Sequence, residues 1–332
     1  MKESINNIFK NNLLVTYRKL SAIREMTVLI SIIFISIILA IASPHFITKD
    51  NLISTTIGLS SDVIIVIGVT IVLISGGLDL SVGSIMSLSG ITCGMLYLYG
   101  VNIWIACIIS ILIGTSFGFI NGYFIGKIGL NPFITTLAIA GISRGLSYIL
   151  TEGSPISLYG VPKSFSNISQ SRIGEVPIVI LVIFLVTLIC DYLLRRSDFF
   201  RKVFYLGSNE KAALLSGINI KKIKIIVYVS CALFAALAGV LSTARFTVVT
   251  PSAGIGAEMR SISAAVIGGA SLSGGEGTII GAVLGVILLN IINNGLILLN
   301  VPVYWQDFVN GAILLLAVTI DFVNQKKRKE LH

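Results

Sequence analysis

Ten apolar runs, nearly all long enough to cross a lipid bilayer, follow one another along this 332-residue chain with short polar connections between them. They lie near 26–43, 52–75, 81–99, 103–127, 132–151, 177–194, 225–243, 258–271, 278–299 and 303–322. A crossing takes about 20 residues of helix, so the pattern predicts an all-α integral membrane protein of about ten transmembrane helices. The eighth run is the short one and opens on Glu258 and Arg260, which suits a half-helix or a re-entrant segment. Composition agrees, since 55% of the residues are hydrophobic and only 12% charged, against about 25% charged in soluble domains. A soluble fold of this length has too little interior to enclose so much apolar surface.

A net charge of +9 would point to nucleic acid in a soluble chain. In a membrane protein, Lys and Arg instead collect in cytoplasmic loops because they resist translocation, and no nucleic-acid partner is expected. Five bases precede Glu25, eight stand between Arg195 and Lys224, and Lys326, Lys327, Arg328 and Lys329 close the chain; with Lys127 that places 18 of 24 on one face. Lys49, Lys163, Arg172, Arg245 and Arg260 fall to the other. Both termini are therefore expected in the cytoplasm. The organisation that follows is a cytoplasmic N-terminal segment over 1–25, a transmembrane domain over 26–322 and a basic cytoplasmic tail over 323–332. Within the domain, 195–224 is a long cytoplasmic loop, and 152–176, rich in Pro, Ser and Gly, is the largest external one, a docking surface for an external partner. Ala40-Ile41-Ala42 has the form of a signal-peptidase site, but the polar lead before it is longer than in signal peptides, so the first helix is read as retained. The four cysteines sit in or beside apolar runs without CxxC spacing, and His45 and His332 are the only imidazoles. No disulfide framework, metal site or cofactor is expected.

Gly114, Gly118, Gly122 and Gly126 repeat at a spacing of four and form one flat ridge on the fourth helix; Gly277, Gly281 and Gly285 do the same at the ninth. Such ridges let a neighbouring backbone approach closely in lipid, where packing replaces the hydrophobic drive. Asp62, Asn121, Arg144, Asn290, Asn293 and Asn294 fall at membrane depth, where polar side chains face the bundle interior or an aqueous path. Asn290, Asn293 and Asn294 share one helix face, and amides, with donors and an acceptor each, suit a neutral polyol. Asn121 and these three are the candidate substrate path; hydrogen bonding between helices is the plainer reading of each.

In the long basic loop, Gly207-Ser208-Asn209-Glu210-Lys211-Ala212-Ala213-Leu214-Leu215-Ser216-Gly217 reads as a short helix. Ser208 is placed to cap it, Glu210 suits its first turn, Gly217 ends it, and Ala212, Ala213 and Leu215 share a small apolar face. Such a helix either lies on the lipid headgroups or fits a groove in a soluble partner. Two glycine-rich turns, one with Gly76, Gly77 and Asp79 and one with Gly274 and Gly275, join the second to third and eighth to ninth helices on the cytoplasmic side, with Asp79 placed to cap the helix after it. No GxxxxGK[ST] occurs, so the chain is not expected to bind ATP through a P-loop.

GGLDLSVGSIMSLSG (76–90), GSNEKAALLSGI (207–218), IGGASLSGGEGTIIGAVLG (267–285) and NNGLILLNVPVYWQDFVNGAILLLAV (293–318) resemble, in order and spacing, the motifs of permeases of ribose-type ABC sugar importers. The similarity runs from about residue 50 to residue 321. The resemblance implies a fold similar to the ten-helix permeases of ABC importers, in a bacterial cytoplasmic membrane. It implies a second permease copy, identical or a sister chain, together with cytoplasmic ATPase subunits and an extracytoplasmic sugar-binding protein. Residues 207–218 become the coupling helix on the ATPase, carried by Asn209, Glu210, Ala212, Ala213, Leu215 and Gly217, and Asp79 belongs to a structural turn. Members of this type carry ribose, galactose, xylose, allose, autoinducer-2 and other small polyols.

An ion-coupled secondary transporter is the alternative, and it calls for paired carboxylates or broken helices that hold an ion; Asp62 has no evident acidic partner in the sequence. An intramembrane enzyme is disfavoured, since there is no HExxH and no nucleophile with a recognisable base.

Overall fold

The computed structural model describes residues 24–302 and 304–330. The expectation for 1–25 therefore lies, apart from its last two residues, outside the described residues. Each of the ten apolar runs holds a helix: α1 (Arg24–Ala42), α2 (Lys49–Ile74), α3 (Val82–Leu98), α4 (Ile103–Tyr123), α5 (Pro132–Thr151), α7 (Ile178–Arg196), α10 (Ile220–Phe246), α11 (Ala257–Ile267), α12 (Ile279–Leu298) and α13 (Tyr304–Glu330). Among the described residues, eight helices are long and apolar enough to cross a membrane, and α3 is a shorter apolar one. At 1.5 Å per residue, α11 reaches only about 16 Å, half of a bilayer core.

α2 is central: Val66, Ile67, Val72 and Ile74 have no exposure. Peripheral helices leave apolar faces open, as with Phe34 and Ile37 on α1 or Phe184 and Leu185 on α7, which is what contact with lipid requires. The α4 glycine ridge lies along α10. A Cβ added at Gly118 would stand 2.6 Å from Tyr228 O, and one at Gly122 would stand 2.6 Å from Ile225 Cα. The second row seats α12 on α11, with Gly281 against Gly268 and Gly285 against Ala264. The Sγ atoms of Cys93 and Cys107 meet at 3.6 Å between α3 and α4, as free thiols.

One end of the bundle gathers the basic segments. There Asp191 of α7 accepts from Arg195 Nε at 2.6 Å and from the backbone N–H of Ile279 (3.0 Å) and Ile280 (3.2 Å), placing a carboxylate where the α12 dipole is positive. Arg195 also meets Glu25 at 3.1 Å, and Glu25 accepts from the Thr278 hydroxyl at 2.6 Å, so α1, α7 and α12 are tied together. The stretch 195–224, expected as a loop, is mostly helical: α8 (Asp198–Ser208), α9 (Glu210–Leu215) and the first turns of α10. α10 starts five residues before its apolar run because the Asn219 side chain accepts from Lys222 N and caps it. Lys221, Lys222 and Lys224 thus extend the helix beyond its apolar part, with long stems suited to the membrane edge. α13 likewise continues through 323–330.

At the opposite end, β1 (Ile156–Ser157) pairs antiparallel with β4 (Val248–Val249), and β2 (Arg172–Ile173) with β3 (Val176–Pro177). Between them α6 (Lys163–Gln170) buries Phe165 completely, and Lys49 pairs with Glu175. The 152–176 segment is therefore a folded cap.

After β4 the chain turns back into the bundle without helix, running beside α3. Ser87 Oγ donates to the carbonyls of Thr250 and Pro251, and Gly254 O lies 2.1 Å from where a Gly83 Cβ would be. Arg144 donates to Pro251 O and Ala253 O at 2.5 and 2.7 Å. Lipid offers backbone carbonyls no donor, so this arginine and serine help satisfy a segment of successive turns inside the bundle. α11 follows, so the eighth apolar run is a short helix entered through a non-helical segment.

Candidate functional site

α9 projects from the basic end. Its cap is Asn209, whose side chain accepts from Ala212 N at 3.0 Å, and not Ser208 as the sequence suggested. Ser208 is spent as the last residue of α8, its hydroxyl donating to Phe204 O. Glu210 holds the first turn to α10 through Lys224 at 2.7 Å, and Gly217 ends the helix with φ +76°. The expected apolar face is rearranged. Ala213 is buried, Ala212 is exposed, and the protruding pair is Leu214 (63% exposed) and Leu215 (89%). Among the described residues these are two of the barer large apolar side chains at the basic end.

Immediately before α9, Gly207 sits against both glycine turns. A Cβ on Gly207 would lie 1.8 Å from Ile74 O and 2.6 Å from Gly275 N, and Gly275 N donates to Ile74 O at 2.8 Å. Gly76, Gly274 and Gly275 all have φ between +76° and +86°, which glycine adopts freely. The foot of α2, the turn after α11 and the segment leading into α9 are thus stacked backbone on backbone.

Asp79 is buried, and its role differs from the expected cap. Oδ1 accepts from the Ser81 N–H (2.8 Å) and hydroxyl (2.6 Å), an Asx-type turn that holds the residue preceding α3. The Ser81 hydroxyl in turn accepts from Asn121 Nδ2 at 2.9 Å. Asn121 is fully buried in this network and away from the other three asparagines. Gly77 packs on Tyr228, whose hydroxyl donates to Leu78 O.

Asn290, Asn293 and Asn294 do face a common space, a cavity of about 380 Å³ between α2, α12 and α13. Asn294 is committed to a reciprocal amide pair with Asn51 at 2.8 and 3.1 Å. Asn293 Oδ1, Asn310 Oδ1 and Thr55 Oγ1, all in the same lining, are buried without a hydrogen-bond partner. A second cavity, of about 540 Å³, lies between α3, α10 and the 248–254 segment. Asp62 borders both cavities, with its carboxylate 3.7 Å from the Arg260 guanidinium. Arg245 lines the larger one and donates to Ile57 O at 3.2 Å. Charge counting puts Arg260 on the outer face, whereas the structure sets it inside the bundle. α11 begins inside the bundle, so its first turn carries Arg260 to Asp62; the charged start of the weakest apolar run was the signal available.

Residues 51–318 match the family described as the branched-chain amino acid transport system permease component. The chain is 37% identical over 300 residues to the ribose import permease protein RbsC of Escherichia coli strain K12, covering 90% of this chain and 93% of that one. It is 36% identical over 285 residues to RbsC of Bacillus subtilis strain 168, covering 86% and 88%. It is 35% identical over 296 residues to the D-allose transport system permease protein AlsC of Escherichia coli strain K12, covering 89% and 90%. No solved structure gives a significant match.

Proposed function

The chain belongs to the branched-chain amino acid transport system permease component family, and from that premise we propose that it is the permease subunit of an ABC importer that carries ribose or a similar small monosaccharide across a bacterial cytoplasmic membrane. The observation that carries this reading is the 37% identity to a ribose import permease over nine tenths of both chains. It is a multi-pass membrane protein whose basic end, with both termini, faces the cytoplasm by the positive-inside rule. It works with a second permease copy, identical or a sister chain, with cytoplasmic ATPase subunits that hydrolyse the ATP, and with an extracytoplasmic sugar-binding protein that docks on the 152–176 side.

Asn209, Glu210, Ala212, Ala213, Leu215 and Gly217 form the coupling element, with Leu214 added to its protruding face. The ATPases pull on α9, and the displacement reaches the feet of α2 and α11 through the stacked glycines at Gly76, Gly207, Gly274 and Gly275, because backbones in direct contact have no side chain to absorb it. Alternating access then follows from small rigid shifts of packed helices. Asn290, Asn293 and Asn294 border the sugar path; Asn121 and Asp79 hold the turn that shapes it. An ion-coupled mechanism is not favoured, since the carboxylate of Asp62 is matched by a guanidinium.

The test is reconstitution in proteoliposomes with the cognate ATPase and binding protein. Ribose uptake that requires both partners and ATP is the expected result. Uptake by this chain alone, driven by a sodium or proton gradient, overturns the assignment.

A further inference from the structure

The two cavities have three residues in common: Gly58, Asp62 and Arg260. Asp62 lies midway along α2, and both cavities extend from it toward the end of the bundle that carries Lys49 and the 152–176 cap. In the other direction the space closes abruptly. Below the pair, between Asp62, Arg260, Ser261 and Leu289, only about 20 Å³ remains, room for about one water. The ion pair therefore stands where a wide space meets a constriction.

We propose that the two cavities form one basin that takes a neutral polyol, and that the Asp62–Arg260 pair is the gate at its floor. The proposal rests on the sugar-importer reading and adds the place and chemistry of recognition. A carboxylate only accepts hydrogen bonds and a guanidinium only donates them, whereas each sugar hydroxyl does both. A polyol can thus enter between Asp62 and Arg260 and satisfy both as they part, which an apolar solute cannot do. Asn290, Asn293 and Asn310 add amide-bearing residues to the same wall. With Arg245 beside the pair the larger cavity holds two arginines against one aspartate, a field that turns cations away.

The gate is also connected to the machinery that would open it. Asp62 rides on α2 and Arg260 on α11, and both helices lead down to the junction with Gly207. A displacement there acts on the feet of the two helices whose upper parts hold the pair.

Gly58 provides a test that spares the fold. It is helical, borders both cavities, and a Cβ there meets nothing within 4 Å. In the complete importer in proteoliposomes, Gly58→Leu is expected to lower ribose uptake by about tenfold or more by filling the basin, with an unchanged unfolding temperature. Asp62→Arg is expected to abolish uptake, and Asp62→Arg combined with Arg260→Asp to restore a substantial part of it. Asn293→Cys is expected to react with a charged, membrane-impermeant methanethiosulfonate added outside, and Gly58→Leu to slow that reaction. Wild-type uptake in Gly58→Leu and in Asp62→Arg, or an unreactive Asn293→Cys, overturns the gate and leaves the importer reading standing. An assembly whose wild type takes up no ribose on ATP, yet whose Asn293→Cys form reacts as described, overturns the sugar reading and retains the basin.

Discussion

Leu215 and Ala213 stand two residues apart on one short helix and answer to different physics. Leu215 is bare, so Leu215→Asp is expected to abolish ATP-driven uptake while the unfolding temperature in detergent barely moves, a stability change within about 0.5 kcal/mol. Ala213 is buried against the body of the protein, and Ala213→Arg has to displace its neighbours at a cost of about 1–3 kcal/mol. Its loss of uptake should come with a lower unfolding temperature, which separates broken coupling from broken packing. The sequence marked this helix through Glu210 and Gly217. It did not tell Ser208 from Asn209 as the cap, because both residue types cap helices and the choice depends on where α8 stops.

At the scale of elements, the glycine ridge of α4 and the glycines of α5 look alike in the sequence and differ in their surroundings. Gly122 lies on the backbone of α10, whereas a Cβ at Gly145 meets nothing within 4 Å. Gly122→Val is expected to destabilise by about 1–3 kcal/mol, and Gly145→Ala to be neutral or to stabilise by up to about 1 kcal/mol; unfolding midpoints of the two variants check both. The eighth apolar run makes a second prediction. Arg144 satisfies two carbonyls of the non-helical segment that leads into α11, so Arg144→Ala should raise hydrogen exchange across 250–256 and leave α11 protected. Ten elements were legible as apolar runs, including the shortness of the eighth. The helices α8 and α9 inside 195–224 were partly hidden, since short amphipathic helices at a membrane edge carry too little apolar length to stand out.

For the whole molecule, the proposed orientation puts the basic end and the capped end on opposite sides of the membrane. Ser216 and Ser154 are exposed at these two ends. Ser216→Cys is expected to react with an impermeant maleimide only in inverted vesicles, and Ser154→Cys on intact cells; labelling of Ser216→Cys from outside the cell sinks the orientation. The apolar runs that hold the helices could be read from the sequence alone, and so could the proposals for orientation and coupling segment. Each depends on a sum over neighbouring residues: apolar transfer over about 20 positions, or the count of bases in one loop. What only the tertiary structure decided is which distant residues meet. That Asn121 joins Asp79 in a buried turn, that Asn293 faces a cavity, and that Arg260 reaches Asp62 all follow from where one helix begins and where glycine lets two backbones touch. Those contacts are set by packing between segments far apart in the chain, and no local pattern records them.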